Sequence, residues 1–289
     1  MLKIYALALI AILSAQAQNF DEIAIEKAVA GMKFTEGAVW SHEGFLLFSD
    51  VPNNKIMKLT PGEGVSVFRE ESNGTTGNAF DDKGRLYSCE SRLRRVTRTD
   101  KKGKIEVLAD KWEGKRLNAP NDIVVSKRGD VYFTDPAFAE QLDHRELDFY
   151  GVYHISPKGE MDLVAKPAGR PNGITFSPSG KILYVANSDE RNVRAYDIGK
   201  DGSAGNERMF ISNIDGVPDG IKVDEKGNLY VAAKGLIIYS PEGKLMHTIP
   251  LGEAPSNCAF GDADLKTLYI TARTSVYRIR LDVKGAVQY

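Results

Sequence analysis

The stretch VPDGIKVDEKGNLYVA, residues Val217 to Ala232, reads as two β-strands joined by a Glu-Lys-Gly turn: each apolar run is short, rich in Val, Ile, Leu and Tyr, and bounded by turn residues. The first run opens on an acid, Asp219. The same pattern returns as RPNGITFSPSGKILYVA (Arg170 to Ala186) and APNDIVVSKRGDVYFTD (Ala119 to Asp135), with an amide in the acid's place. Taking the turn glycine as the ruler, the residue eight places before it is Glu36 for Gly44, Thr76 for Gly84, Asn121 for Gly129, Asn172 for Gly180 and Asp219 for Gly227. A sixth copy, SNCAFGDADLKTLYITA, has Leu265 in the glycine place and Asn257 eight before it. The spacings are 40, 45, 51, 47 and 38 residues, the period of β-propeller blades.

The expectation is therefore an all-β, six-bladed β-propeller with four-stranded antiparallel blades. Helix signals are weak throughout, because Gly and Pro punctuate a chain of short apolar runs. The last copy offers only three strands, NCAF, TLYIT and SVYRIRL. The segment EIAIEKAV (Glu22 to Val29) is expected to supply the fourth and so close the ring with the two chain ends. In such a ring the first strand of every blade lines the axis, so Glu36, Thr76, Asn121, Asn172, Asp219 and Asn257 face one mouth of one channel. The second strands return to that mouth and end at Asp50, Glu90, Asp135, Asn187, Ala233 and Ala272.

With 38 basic and 39 acidic residues, the chain has no global pull toward nucleic acid or anionic lipid, and its basic clusters lack an aromatic stacking platform. Residues 1–17 read as a removed secretory signal: Lys3, an apolar run from Ile4 to Leu13, then Ser14-Ala15-Gln16-Ala17. The run is short for a membrane span. Export to the periplasm or the medium follows, with no stable membrane insertion, and residues 18–289 form one domain, a monomer or weak oligomer. Export permits a Cys89–Cys258 disulfide. Blade 1 stands between the two positions, however, and disulfides need Cα atoms within about 7 Å, so both thiols are expected free.

Carboxylates and amide oxygens converging on one point repel or go unsatisfied unless a cation sits among them. Oxygen-only ligands select a hard ion, most consistently Ca²⁺, with Mg²⁺, Mn²⁺ or Zn²⁺ as alternatives. The four histidines fall outside the ring and show no zinc-ligand spacing. Each polar residue also suits an ordinary strand-start turn, and that plainer role stays open at this point.

FTEGAVW (34–40), APNDIVV (119–125), RPNGITFSPSGKILYVANS (170–188), VPDGIKVDEKGNLYVA and DLKTLYITA (264–272) resemble the signature segments of the gluconolactonase family, which includes regucalcin (senescence marker protein). The resemblance covers nearly the whole mature chain. It implies a six-bladed propeller, a divalent cation at the channel mouth and hydrolysis of sugar lactones, a small-molecule substrate. By motif it implies Glu36, Asn121, Asn172 and Asp219 as metal ligands, all four at the repeat position. One departure stands out: bacterial lactonases of this type often carry a His after the Cys-Glu pair of blade 2, where SCESRLRRVTR has Ser91.

The expected chemistry is ring opening at a carbonyl polarised by the ion, with Asp219 as the base the resemblance implies and Asp135 and Glu90 as local alternatives or substrate contacts. Arg116 and Asn118, just before Asn121, are candidates to hold sugar hydroxyls or the developing carboxylate; a solvated loop Arg and a turn Asn are equally consistent. Two other readings stay open: a non-catalytic binding propeller with a structural ion, and an esterase or phosphotriesterase using the same site.

Overall fold

The computed structural model describes residues 18–287; the expected signal at 1–17 lies outside them. Six four-stranded antiparallel sheets form the ring. Blade 1 comprises Thr35–Ser41, Phe45–Asp50, Lys55–Thr60 and Gly64–Arg69, and blade 2 comprises Thr75–Phe80, Leu86–Glu90, Arg95–Thr99 and Ile105–Ala109. Blade 3 comprises Ile123–Val125, Val131–Asp135, Gly151–Ile155 and Met161–Ala165, and blade 4 Pro171–Phe176, Ile182–Asn187, Asn192–Ile198 and Ala204–Ile211. Blade 5 comprises Ile221–Val223, Leu229–Ala232, Leu236–Tyr239 and Leu245–Ile249. Blade 6 joins Pro255–Gly261, Thr267–Ala272 and Ser275–Arg280 to Glu26–Val29 from the other end of the chain, antiparallel to Ser275–Arg280. The closing strand is shorter than the Glu22–Val29 expected: Glu22 belongs to the 3-10 turn Phe20–Glu22, Ile23 caps it, and pairing begins only at Glu26.

The repeat has a physical cause that the hairpins display. In blade 2, Asp81 Oδ1 accepts from the backbone amides of Lys83 and Arg85 and so shapes the turn, while Oδ2 takes the hydroxyl of Tyr87 at 3.2 Å. Asp224 repeats this with Lys226, Asn228 and Tyr230. The tyrosine ring is thus buried with its polar tip satisfied, which burial requires. The turn position itself needs a left-handed backbone. Leu265 adopts φ 55° there in the sixth copy, which is why it could replace the glycine of the other five.

Neighbouring blades are stitched at the mouth by hydrogen bonds around the whole ring. Ser49 Oγ donates to Thr76 O (2.9 Å), Gly77 N to Asn121 O (2.7 Å), Thr134 Oγ1 to Asn172 O (2.8 Å), Gly173 N to Asp219 O (3.1 Å), Gly220 N to Ser256 O (2.7 Å) and Ser256 Oγ to Thr35 O (2.7 Å). The carbonyls of Asn121, Asn172 and Asp219 are therefore each held by the preceding blade. Cys89 and Cys258 are buried and free, as expected. Among the described residues no helix is long and apolar enough to cross a membrane.

Candidate active site at the channel mouth

Glu36, Asn172 and Asn257 stand within the first three residues of their inner strands, and Asn121 and Asp219 two residues before theirs. Glu36, Thr76, Asn121, Asn172 and Asp219 together line one cavity of about 470 Å³. The sixth repeat residue, Asn257, lies behind Glu36 and outside the lining. Gly220 lets it reach the axis: a Cβ there would fall 2.2 Å from the Asn257 carboxamide carbon.

Acceptors at this floor are deliberately half used. Glu36 Oε2 accepts from Gly37 N at 2.6 Å and from Asn257 Nδ2 at 3.2 Å, whereas Oε1 is buried without a partner. Asn172 donates Nδ2 to Ser188 Oγ at 3.0 Å, which fixes the amide, and its Oδ1 is likewise buried and unpartnered. Two such oxygens cost free energy unless a donor or cation meets them. Electrostatics point the same way. Burial, with the Asp122 charge added, pushes Glu36 up to about 7. Burial, Glu36 and Asp122 push Asp219 well above the carboxylate range. Among the described residues no three His, Cys, Asp or Glu side chains form a metal-binding group; the floor offers two carboxylates and two carboxamides.

Asp122 escaped the sequence reading. It is buried below the floor, accepts from Ile123 N (3.0 Å) and Ile174 N (3.2 Å), and feels the Lys222 ammonium. A signal did exist: four copies have Gly after the repeat residue, and the third has this acid. The walls were also missed. They are Phe34, Val51, Pro52 and Ala119, with Phe138 and Gln141 from the blade 3 loop and Ser91 and Arg92 from blade 2. Ser91, the residue that departs from the resembled lactonases, is thus a wall residue, with its hydroxyl given to Gly74 O at 2.7 Å.

The four groups expected to hold substrate do not line the cavity. Glu90 is fully buried, with Oε1 accepting from Thr97 Oγ1 (3.0 Å) and Arg69 Nη1 (3.4 Å), and Oε2 from Arg95 Nε (2.7 Å) and Asn73 Nδ2 (3.0 Å). Asp135, also fully buried, receives the amides of Asn118 and Ala119, both at 2.8 Å, and burial still pushes it up to about 7. Asn118 turns its Nδ2 to Asp135 O and Phe149 O. Arg116 is exposed and donates to Leu93 O at 2.9 Å. Asp135 and Asn118 hold the loop that carries Asn121, although Asn118 Oδ1 is buried without a partner.

Residues 34–274 match the model of the SMP-30/gluconolactonase/LRE-like region. The chain is 34% identical over 293 aligned residues to the gluconolactonase of Zymomonas mobilis, covering 90% of this chain and 82% of that protein. It is 27% identical over 266 residues to the diisopropyl-fluorophosphatase of Loligo vulgaris, covering 82% and 83%. A Xanthomonas campestris gluconolactonase structure superposes with a TM-score of 0.84 at 31% identity, covering 90% of each chain. A calcium-binding regucalcin from Agrobacterium tumefaciens shares the fold, with a TM-score of 0.80 at 17% identity, over 92% of this chain and 96% of that one.

Proposed function

The chain belongs to the SMP-30/gluconolactonase/LRE-like family, a family of gluconolactonase-like hydrolases, and from that premise we propose that it opens a sugar lactone or similar cyclic ester with a divalent cation, Ca²⁺ before Mg²⁺, Mn²⁺ or Zn²⁺, held by Glu36, Asn121, Asn172 and Asp219. The observation that carries the reading is the pair of buried, unpartnered oxygens, Glu36 Oε1 and Asn172 Oδ1, on a cavity also lined by Asn121 and Asp219. A set of acceptors without nitrogen or sulfur fits a hard cation. Charge fits too: Glu36, Asp219 and Asp122 bring three negative charges, Lys222 returns one, and a dication balances the rest.

Such an ion supplies Lewis acidity toward a carbonyl oxygen and acidifies water. The chain's own groups do the remainder. Asn257 and Gly37 hold Glu36, and Ser188 holds Asn172, so the polar floor is set before substrate arrives. Phe34, Val51, Pro52 and Phe138 receive the carbon skeleton and exclude bulk water. Asp219, part-exposed at the floor, accepts the proton of the water that adds to the carbonyl. The carbonyl-to-ring-oxygen bond then breaks, the proton passes to that oxygen, and a hydroxy acid leaves. Export through the signal expected at 1–17 is part of the same proposal.

The test is a lactone panel, with diisopropyl fluorophosphate added because of the Loligo likeness, assayed after metal stripping and readdition. Lactone turnover should vanish with the ion and return with it. Turnover of the fluorophosphate alone, with release of fluoride, would replace the reading with a hydrolase acting at phosphorus. No hydrolysis of any ester by metal-saturated protein, with stability still dependent on the ion, would leave a binding propeller.

A further inference from the structure

Arg92 is the one cationic side chain among the described residues lining the cavity. Every contact it makes is weak: Nη2 lies 3.4 Å from both Val51 O and Pro52 O, at the long end of hydrogen bonding, and no carboxylate of the described residues lies within ion-pairing distance. Of the other arginines near the mouth, Arg273 lies over Phe34 and its charge acts on Asp219. Arg170 is paired with Asp189 and lies over Phe138, and Arg69 and Arg95 converge on Glu90.

The stem of Arg92 is seated all the same. Gly74, at φ +64°, has no side chain, and a Cβ there would fall 2.6 Å from Arg92 Cγ. Gly74 is itself braced by Asn54 Oδ1 and the Ser91 hydroxyl, at 2.8 and 2.7 Å. A long flexible side chain has been given a slot, so less rotamer freedom remains to lose when its head finds a partner.

We propose that Arg92 forms an anion subsite on the wall of this cavity, so that the preferred ligand carries a carboxylate or phosphate besides the group that meets the floor. A guanidinium fork matches either anion with two parallel hydrogen bonds. The floor presents acceptors and the wall a donor, while Phe34 and Phe138 offer apolar surface between them. The substrate class is then an acidic lactone, such as one derived from an aldaric acid or a sugar acid phosphate, in preference to a neutral one. The position of the lactone group rests on the lactonase reading; the subsite itself does not.

Calorimetry on the metal-saturated protein tests the subsite without any turnover, using gluconate, glucarate and gluconate phosphorylated at its terminal hydroxyl. The second anion should tighten binding about 10- to 100-fold, the usual weight of a charge-assisted pair. Comparing the two acidic probes separates carboxylate from phosphate recognition. Arg92→Ala should remove that gain while weakening gluconate far less, and Arg92→Lys should restore part of it. With glucono-δ-lactone and glucaro-γ-lactone as substrates, the discrimination should appear in KM and not in kcat. Equal affinity for gluconate and both doubly acidic probes, or equal losses for all three in Arg92→Ala, overturns the proposal. Discrimination among the acids with no lactone hydrolysed would keep the subsite and remove the lactonase reading.

Discussion

Two buried carboxylates, Glu36 on the first strand of blade 1 and Glu90 on the second strand of blade 2, differ in what their oxygens meet. At the floor, Glu36 keeps one oxygen unpartnered and its proton affinity is raised by burial and by Asp122. In the next blade, Glu90 is equally removed from water, yet four donors from Arg69, Asn73, Arg95 and Thr97 occupy both of its oxygens. The difference separates a group whose lone pairs are committed to the fold from one whose lone pairs are left for something else. Burial alone does not distinguish them. Counting donors does: Glu90 has none of its oxygens open, whereas Glu36 keeps one that the proposed function gives to a ligand.

The largest effect should come from the committed carboxylate. Glu90→Ala strands Arg69 and Arg95 without their shared partner, and breaking a buried pair of this kind costs about 3–5 kcal/mol. Urea denaturation should show that loss, while ion affinity of the folded fraction stays near wild type. A mild variant with impaired ion binding would mean that Glu90 belongs to the site after all.

Next comes Asp219→Asn, which keeps an oxygen at the floor and removes a base. Turnover should fall about 10²-fold, equivalent to about 2.7 kcal/mol in the barrier. Affinity for the ion, measured by calorimetry, should fall less. Asn172→Asp gives the opposite pattern, holding the ion more tightly and weakening its pull on a carbonyl. Wild-type turnover in Asp219→Asn at saturating metal would make Asp219 a ligand only and move the search for a base to solvent.

Chelation should be felt next. Ion bound only by the folded protein adds about 2.7 kcal/mol at a hundredfold excess over Kd. Thermal melts with and without Ca²⁺ should show the shift in wild type and most of its loss in Glu36→Gln. An unchanged melting curve in wild type would break the link between unpartnered oxygens and a cation.

The repeat made the ring legible because similar local physics recurs from hairpin to hairpin: a left-handed turn residue, a turn-shaping Asp or Ser and, in blades 2 to 6, a buried Tyr, as in Asp81 and Tyr87 or Asp224 and Tyr230. Since every inner strand starts at the same mouth, the convergence of Glu36, Asn121, Asn172 and Asp219 on one cavity was legible too. Orientation at the ends of the second strands was not. Glu90 finds its partners on the third strand of its own blade and on Arg69 of blade 1, and Asp135 finds its own in a loop sixteen residues earlier, contacts that no local period encodes. Phe138 and Arg92 reach the cavity from connections that differ from blade to blade, so no repeat could point to them.

The smallest effect tests whether a saturated carboxylate can be recognised by its acid response. Glu253 stands where the ring closes: Oε1 accepts from Ser275 Oγ (2.5 Å), Lys27 Nζ (3.0 Å) and Tyr277 OH (3.2 Å), and Oε2 from Thr274 N (2.7 Å) and Thr274 Oγ1 (2.8 Å). Lys27 belongs to the closing strand and Ser275 and Tyr277 to its neighbour, so one carboxylate ties both chain ends to the last blade. Burial opposes its charge, but the donors from Ser275, Thr274 and Lys27 outweigh that and hold it down to about 2, against an ordinary value of 4.5. A carboxyl that binds its proton less readily folded than unfolded contributes its full stability above about pH 4.5 and loses it as the pH falls toward about 2. Glu253→Gln should therefore cost about 1 kcal/mol near neutrality, because Lys27 is largely exposed and its share is screened by solvent. That difference from wild type should shrink across the acid window, and urea midpoints taken through it would show the two curves converge. Parallel curves would mean that the closure seam holds by its strand pairing alone.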